Sequence, residues 1–153
     1  MKIKNWLLTL NMLWICMIFS FSLQPAEISS DTSMGFVKSV IGFFLPGVTE
    51  YIENMSQEQL DVFHFLVRKC AHFTEYLILG IINFATATVW NIKKCVRTTI
   101  LFCAGIACVD EMIQLFVAGR AGRIQDVILD GVGATVGICF IYFLKKYRVC
   151  AEL

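Results

Sequence analysis

From Trp6 to Leu23 the chain runs without a single charge, and most of the side chains are apolar. A helix over that stretch reaches about 27 Å at about 1.5 Å per residue, close to the ~30 Å hydrocarbon core of a bilayer. Three more apolar stretches follow, so the sequence predicts membrane-crossing helices at about 6–23, 66–90, 96–117 and 126–144. An ordinary soluble domain has no use for so much apolar surface. Of 153 residues 58% are hydrophobic and only 16% are charged, with a mean hydropathy of +0.70. A second reading of the first stretch is a cleaved signal peptide, with Ser20 and Ser22 as the small residues before a cut.

The links between the last three stretches are short and force antiparallel neighbours. The expected fold is therefore all-α: an integral membrane four-helix bundle forming one domain over residues 1–153. Only 24–65 is a sizeable polar connection, with Pro25, Pro46 and Gly47 as breakers. Within it Phe36, Val37, Val40, Ile41, Phe43 and Phe44 recur at helical spacing beside Lys38 and Ser39, which predicts a short helix lying on the membrane surface. Ser56 and Gln59 form a capping-box pattern that opens a helix running into the second span.

Orientation follows from the basic residues. Lys2, Lys4, Lys93, Lys94, Arg97, Lys145, Lys146 and Arg148 fall on one side of a four-span arrangement, against Lys38, Arg68, Lys69, Arg120 and Arg123 on the other. Both termini are expected in the cytoplasm, at the cell membrane, with 24–65 extracytoplasmic. A net charge of +1 argues against nucleic acid as a partner, because neutralising phosphates needs a basic surface. Partners are to be sought in the membrane. The seven cysteines are odd in number, lack any C-x-x-C spacing and fall mostly in apolar runs, so they are expected to be small core hydrophobes. No motif implies a cofactor.

In this arrangement eleven of the twelve acidic residues, all but Glu152, lie outside the membrane or in its outer half. At about 100° per residue Arg68, His72 and Glu75 share a helix stripe, flanked by Lys69 and continued inward by Asn83 and Thr86. Asp110 and Gln114 share a face of the third span, with Glu111 beside it. Asp126 and Asp130 sit four apart on the fourth span, above a G-x-x-x-G pair, Gly133 and Gly137, that lets a neighbouring backbone approach closely. A charge at the bilayer centre costs about 2.5–3.5 kcal/mol, so Asp110 and Glu111 are expected to face the bundle interior and pair with Arg68, Lys69, Arg120 and Arg123. A structural alternative is that such pairs serve only to fix helix register. His72 suits a general base, a proton carrier or a metal ligand; without H-x-x-x-H or clustered histidines a metal site is not expected. Gly119, Arg120, Gly122 and Arg123 place two guanidinium groups on a glycine-permissive turn, suited either to gripping a phosphate or carboxylate or to a basic interfacial turn.

The stretch Arg68-Lys69-Cys70-Ala71-His72-Phe73-Thr74-Glu75-Tyr76, followed by Gly80, resembles the R-K-x-x-H-F-x-E-Y motif of the VanZ-like family. Asp110-Glu111-x-x-Gln114-x-Phe116-x-x-Gly119-Arg120, and Asp126-Val127 through Gly133 and Gly137, resemble that family's later motifs, in order over about the last ninety residues. The chain departs from the pattern at Ala118, where the family often has Pro, and at Asp130, where it often has Asn. The resemblance implies a bacterial membrane protein that alters susceptibility to glycopeptides of the teicoplanin type, and it brings no reaction with it.

Two readings of the charged band follow, with a structural role as a third. In the first, Arg68, Lys69, Asp110, Glu111, Gln114, Arg120, Arg123 and Asp130 bind an anionic membrane lipid or lipid-linked envelope precursor at the outer leaflet. In the second, the chain is a membrane-embedded enzyme acting on a polyprenyl phosphate or related lipid, with His72 as base or nucleophile and Glu75 or Asp126 orienting it. In the third, the band fixes the chain as a structural partner of another membrane protein.

Overall fold

The computed structural model describes residues 2–44 and 47–151, and no strand occurs among them. Among the described residues six helices follow one another: α1 (Lys2–Ser22), α2 (Ala26–Phe44), α3 (Val48–Glu53), α4 (Gln57–Val89), α5 (Cys95–Gln114) and α6 (Ile124–Ala151). Pro46 and Glu152 lie outside the described residues, as do the side chains of Lys2, Phe36, Ile41, Lys145, Lys146, Arg148 and Cys150.

Among the described residues two helices are long and apolar enough to cross a membrane by length and composition, at Ile3–Ser22 and Ile124–Leu144, with mean hydropathies of 1.4 and 2.0. Only 22% and 28% of those residues are buried, whereas the core helix of a soluble protein is mostly covered. Their exposed positions include Trp6, Leu13, Ile128 and Phe140. The 33 residues of α4 and 20 of α5 correspond to about 50 and 30 Å. Polar positions dilute both: His72, Glu75, Asn83 and Thr86 in α4, and Arg97, Asp110 and Glu111 in α5.

The capping box is present at the start of α4, where the Ser56 hydroxyl accepts from the Gln59 N–H and the Gln59 side chain accepts from the Ser56 N–H at 3.0 Å. The helix expected around residues 36–44 is longer than the spacing predicts, forming α2. It starts at Ala26 because Pro25 suits a helix start, its carbonyl accepting the Ser29 N–H at 3.0 Å, while Glu27 complements the helix dipole in the first turn. The polar run 27–33 had hidden that first half. Val40, Phe43 and Phe44 are exposed near its end.

α4 packs against α1, α2, α5 and α6. Lys4 lies over the Trp90 ring, and the Trp14 indole donates to the Glu75 carbonyl at 2.9 Å, so α1 runs antiparallel to α4. α6 runs parallel to α4 along a glycine seam. A Cβ on Gly133 would lie 2.6 Å from the Phe73 carbonyl oxygen; one on Gly137 would strike the Leu77 carbonyl, and one on Gly80 the Ala134 carbonyl. The expected close approach at Gly133 and Gly137 is thus met, with Gly80 as its counterpart on α4. The adjoining core holds Ile15, Ile18, Tyr76, Leu79, Cys103, Ala107 and Ala134.

Candidate functional site

The ionisable residues gather where the end of α1, the end of α5 and the start of α6 meet the side of α4. Helical periodicity puts His72 on the face of α4 that meets α6, and the glycine seam below it draws α6 close enough to bring Asp126 and Asp130 alongside. The turn after α5 is set by Gly119, whose φ of 72° suits glycine, and by the Arg120 N–H donating to the Val117 carbonyl at 3.1 Å. A Cβ on Gly122 would strike the Glu111 carbonyl, so the turn folds back against α5. Its Ala118 carbonyl accepts the Ala26 N–H at 3.2 Å, which ties α2 to the same end.

Four side chains converge. His72, Asp110, Glu111 and Asp130 are all buried, and one ligand atom from each lies within 4.8 Å of the others. These four could hold a metal ion. Asp110 accepts from the Ser22 hydroxyl and from Gln114 Nε2 at 3.3 Å; Glu111 accepts from Gln114 Nε2 at 3.1 Å and from the Arg123 N–H at 2.7 Å. Asp130 is fully buried, and neither of its oxygens has a hydrogen-bond partner among the described residues. His72 Nδ1 lies 3.7 Å from Asp130 Oδ1, likewise without a hydrogen bond. The Tyr76 hydroxyl and Arg120 Nε are also buried without partners.

The pairing expected of the cations is realised once among the described residues, between Lys69 and Asp126. Asp110 and Glu111 are held by a hydroxyl, an amide and a backbone N–H rather than by cations. Arg120 is half-buried and donates from Nη2 to the Phe21 carbonyl at 3.0 Å. Burial, then the Arg68 charge, pushes its guanidinium below its ordinary pKa, while Asp110, Glu75 and Glu111 pull it back. Arg68 is half-buried, and the Arg123 side chain is exposed. The acidic partner recorded for His72 is Asp130, not Glu75 or Asp126.

Ser22, Trp14 and Phe21 were not legible as site residues. They sit on α1 in an apolar run, and only the packing of α1 beside α4 and α5 reveals them. The sequence matches a known family from residue 7 to residue 145, nearly the whole chain. The chain belongs to the VanZ/LLP1 family. No curated protein and no solved structure matches it. Membership, together with the two apolar helices, points to a membrane protein. Of the residues gathered here, His72, Asp110, Glu111 and Asp130 lie in the motifs that carry the VanZ resemblance, while Ser22 and Trp14 lie in the part of the match that those motifs do not reach.

Proposed function

We propose that the chain is one membrane domain, a four-helix bundle that crosses the bilayer four times with both termini cytoplasmic. It binds the anionic headgroup of a lipid or lipid-linked envelope precursor at the outer leaflet, and so modulates susceptibility to glycopeptides of the teicoplanin type. The alternating directions of α1, α4, α5 and α6 and the basic-residue bias support the four-span part. The observation that carries the binding part is the state of the arginines. Arg68, Arg120 and Arg123 make no ion pair among the described residues, and Arg120 Nε has no hydrogen-bond partner there. Guanidinium groups with donors to spare, on and beside a turn at the membrane boundary, suit bidentate bonding to phosphate or carboxylate.

A second reading, an enzyme acting on a polyprenyl phosphate or other lipid-linked substrate, is favoured by His72. Its Nδ1 is buried, free of hydrogen bonds among the described residues and 3.7 Å from a carboxylate that could orient it. Turnover by the purified protein separates the two. A purely structural partner role would call for a band that satisfies itself, and the unpaired arginines leave that reading without support.

The binding reading is tested by identifying lipids retained through purification. An anionic lipid should accompany the wild type and be lost from Arg120→Ala while that variant still elutes as folded protein. Retention of neutral lipid alone, or of the same anionic lipid by the variant, would overturn it.

A further inference from the structure

We propose that His72, Asp110, Glu111 and Asp130 form a binding site for one divalent first-row metal ion, with manganese and zinc the best-suited class. In the sequence only His72 stood out as a candidate metal ligand, because the four donors come from three helices and only the packing of α4, α5 and α6 brings them together.

The geometry is close to what a cation needs. Metal bonds of about 2.0–2.2 Å to nitrogen and carboxylate oxygen put donors roughly 3.3–4.4 Å apart, and these four lie within 4.8 Å of one another. A small inward rotation of the side chains closes the difference. An acidic cluster alone would carry no such claim. Here His72 is only 7% exposed with Nδ1 free of hydrogen bonds, and Asp130 is 0% exposed with both oxygens free, among the described residues. Buried polar atoms without partners are rare, and an ion is one of the few things that resolves them. Charge points the same way. Within ion-pair distance the three carboxylates meet no Lys or Arg among the described residues, only His72. Leaving carboxylates buried and uncompensated is costly, and a divalent cation offsets it.

The groups around the donors are also those that orient metal ligands. Ser22, Gln114 and the Arg123 N–H each hold an Asp110 or Glu111 oxygen, leaving a lone pair on each for the ion. One imidazole with three carboxylates favours manganese, iron or zinc over calcium or magnesium, which prefer all-oxygen shells. The site stands whether or not an anionic headgroup binds nearby.

The test uses the full chain, purified in detergent with a tag free of histidine, stripped with chelator and titrated with Mn2+ or Zn2+ alone. The chain has two histidines, His64 and His72. One equivalent of metal should bind, and bound Mn2+ should carry the spin-resonance signature of one directly coordinated imidazole nitrogen, kept in His64→Gln. Losing an orienting group costs about 10–100-fold in metal affinity, so Asp130→Asn and His72→Gln should lose at least tenfold. Folded wild type that binds neither metal in stoichiometric amount overturns the proposal. So does bound Mn2+ without a nitrogen ligand, or with one that disappears in His64→Gln; these readouts stand even if the Asp130 and His72 variants fail to fold.

Discussion

Alanine at Gly137 should destabilise the protein, although alanine is ordinarily the better helix former. In an open helix interior Gly→Ala gains about 0.5–1 kcal/mol, because glycine loses more backbone freedom on folding. At Gly137 the new methyl would strike the Leu77 carbonyl oxygen, with the Leu77 carbonyl carbon at 3.1 Å and the Ile81 nitrogen at 3.2 Å. All three are backbone atoms of α4 and have no rotamer to escape into. Relief requires α6 to retreat along a seam where Gly80 and Gly133 also meet the facing backbone too closely for a Cβ. Overpacking of this kind costs about 1–3 kcal/mol, and against contacts that are all backbone it exceeds the propensity gain, leaving a net loss of up to about 2.5 kcal/mol. Gly131 is the internal control. It lies on the same helix with nothing within 4 Å of its would-be Cβ, so Gly131→Ala should gain about 0.5–1 kcal/mol. Thermal unfolding in one detergent, followed by size-exclusion of the surviving folded fraction, reads both variants. If Gly137→Ala melts at or above the wild type, the seam does not exist as described.

Three further outcomes are expected. Lys69→Ala strands the buried Asp126 carboxylate and should cost about 3–5 kcal/mol, whereas Arg123→Ala, an exposed side chain, should change stability by less than ~0.5 kcal/mol; melting curves of the pair decide it. Trp14→Phe removes the indole bond to the Glu75 carbonyl and should cost about 1 kcal/mol, and an unchanged melting temperature would mean that α1 does not dock through it. With the native cysteines removed, a cysteine probe at Ser30 should label from outside intact cells and one at Glu152 only after permeabilisation; the reverse pattern inverts the orientation.

The helices were largely legible because their signals are local. The uncharged run 6–23, the Ser56–Gln59 capping box and the spacing of Gly133 and Gly137 each specify a short-range feature, and the structure has each of them. The interior of the site was less so. Periodicity grouped His72 with Glu75 and Asp110 with Gln114 along single helices, but it carries no information on how α4, α5 and α6 are rotated against one another. The partners of Asp110 and Glu111 were therefore misjudged: the expected cations gave way to Ser22, Gln114 and a backbone N–H. Asp130, grouped in sequence with Asp126 along one face of the fourth span, is the carboxylate beside His72. α2 was underestimated because its first half is polar, and its start depends on Pro25 and a contact with the distant Ala118.

The binding account stands or falls on separating function from abundance. Wild type, Arg120→Ala and His72→Ala are expressed in a susceptible Gram-positive host, and teicoplanin susceptibility is measured beside the membrane level of each protein. The account predicts protection by the wild type and its loss in Arg120→Ala at normal abundance. If the wild type protects and every loss simply follows a fall in protein level, the charged band is scaffolding and the binding account is wrong.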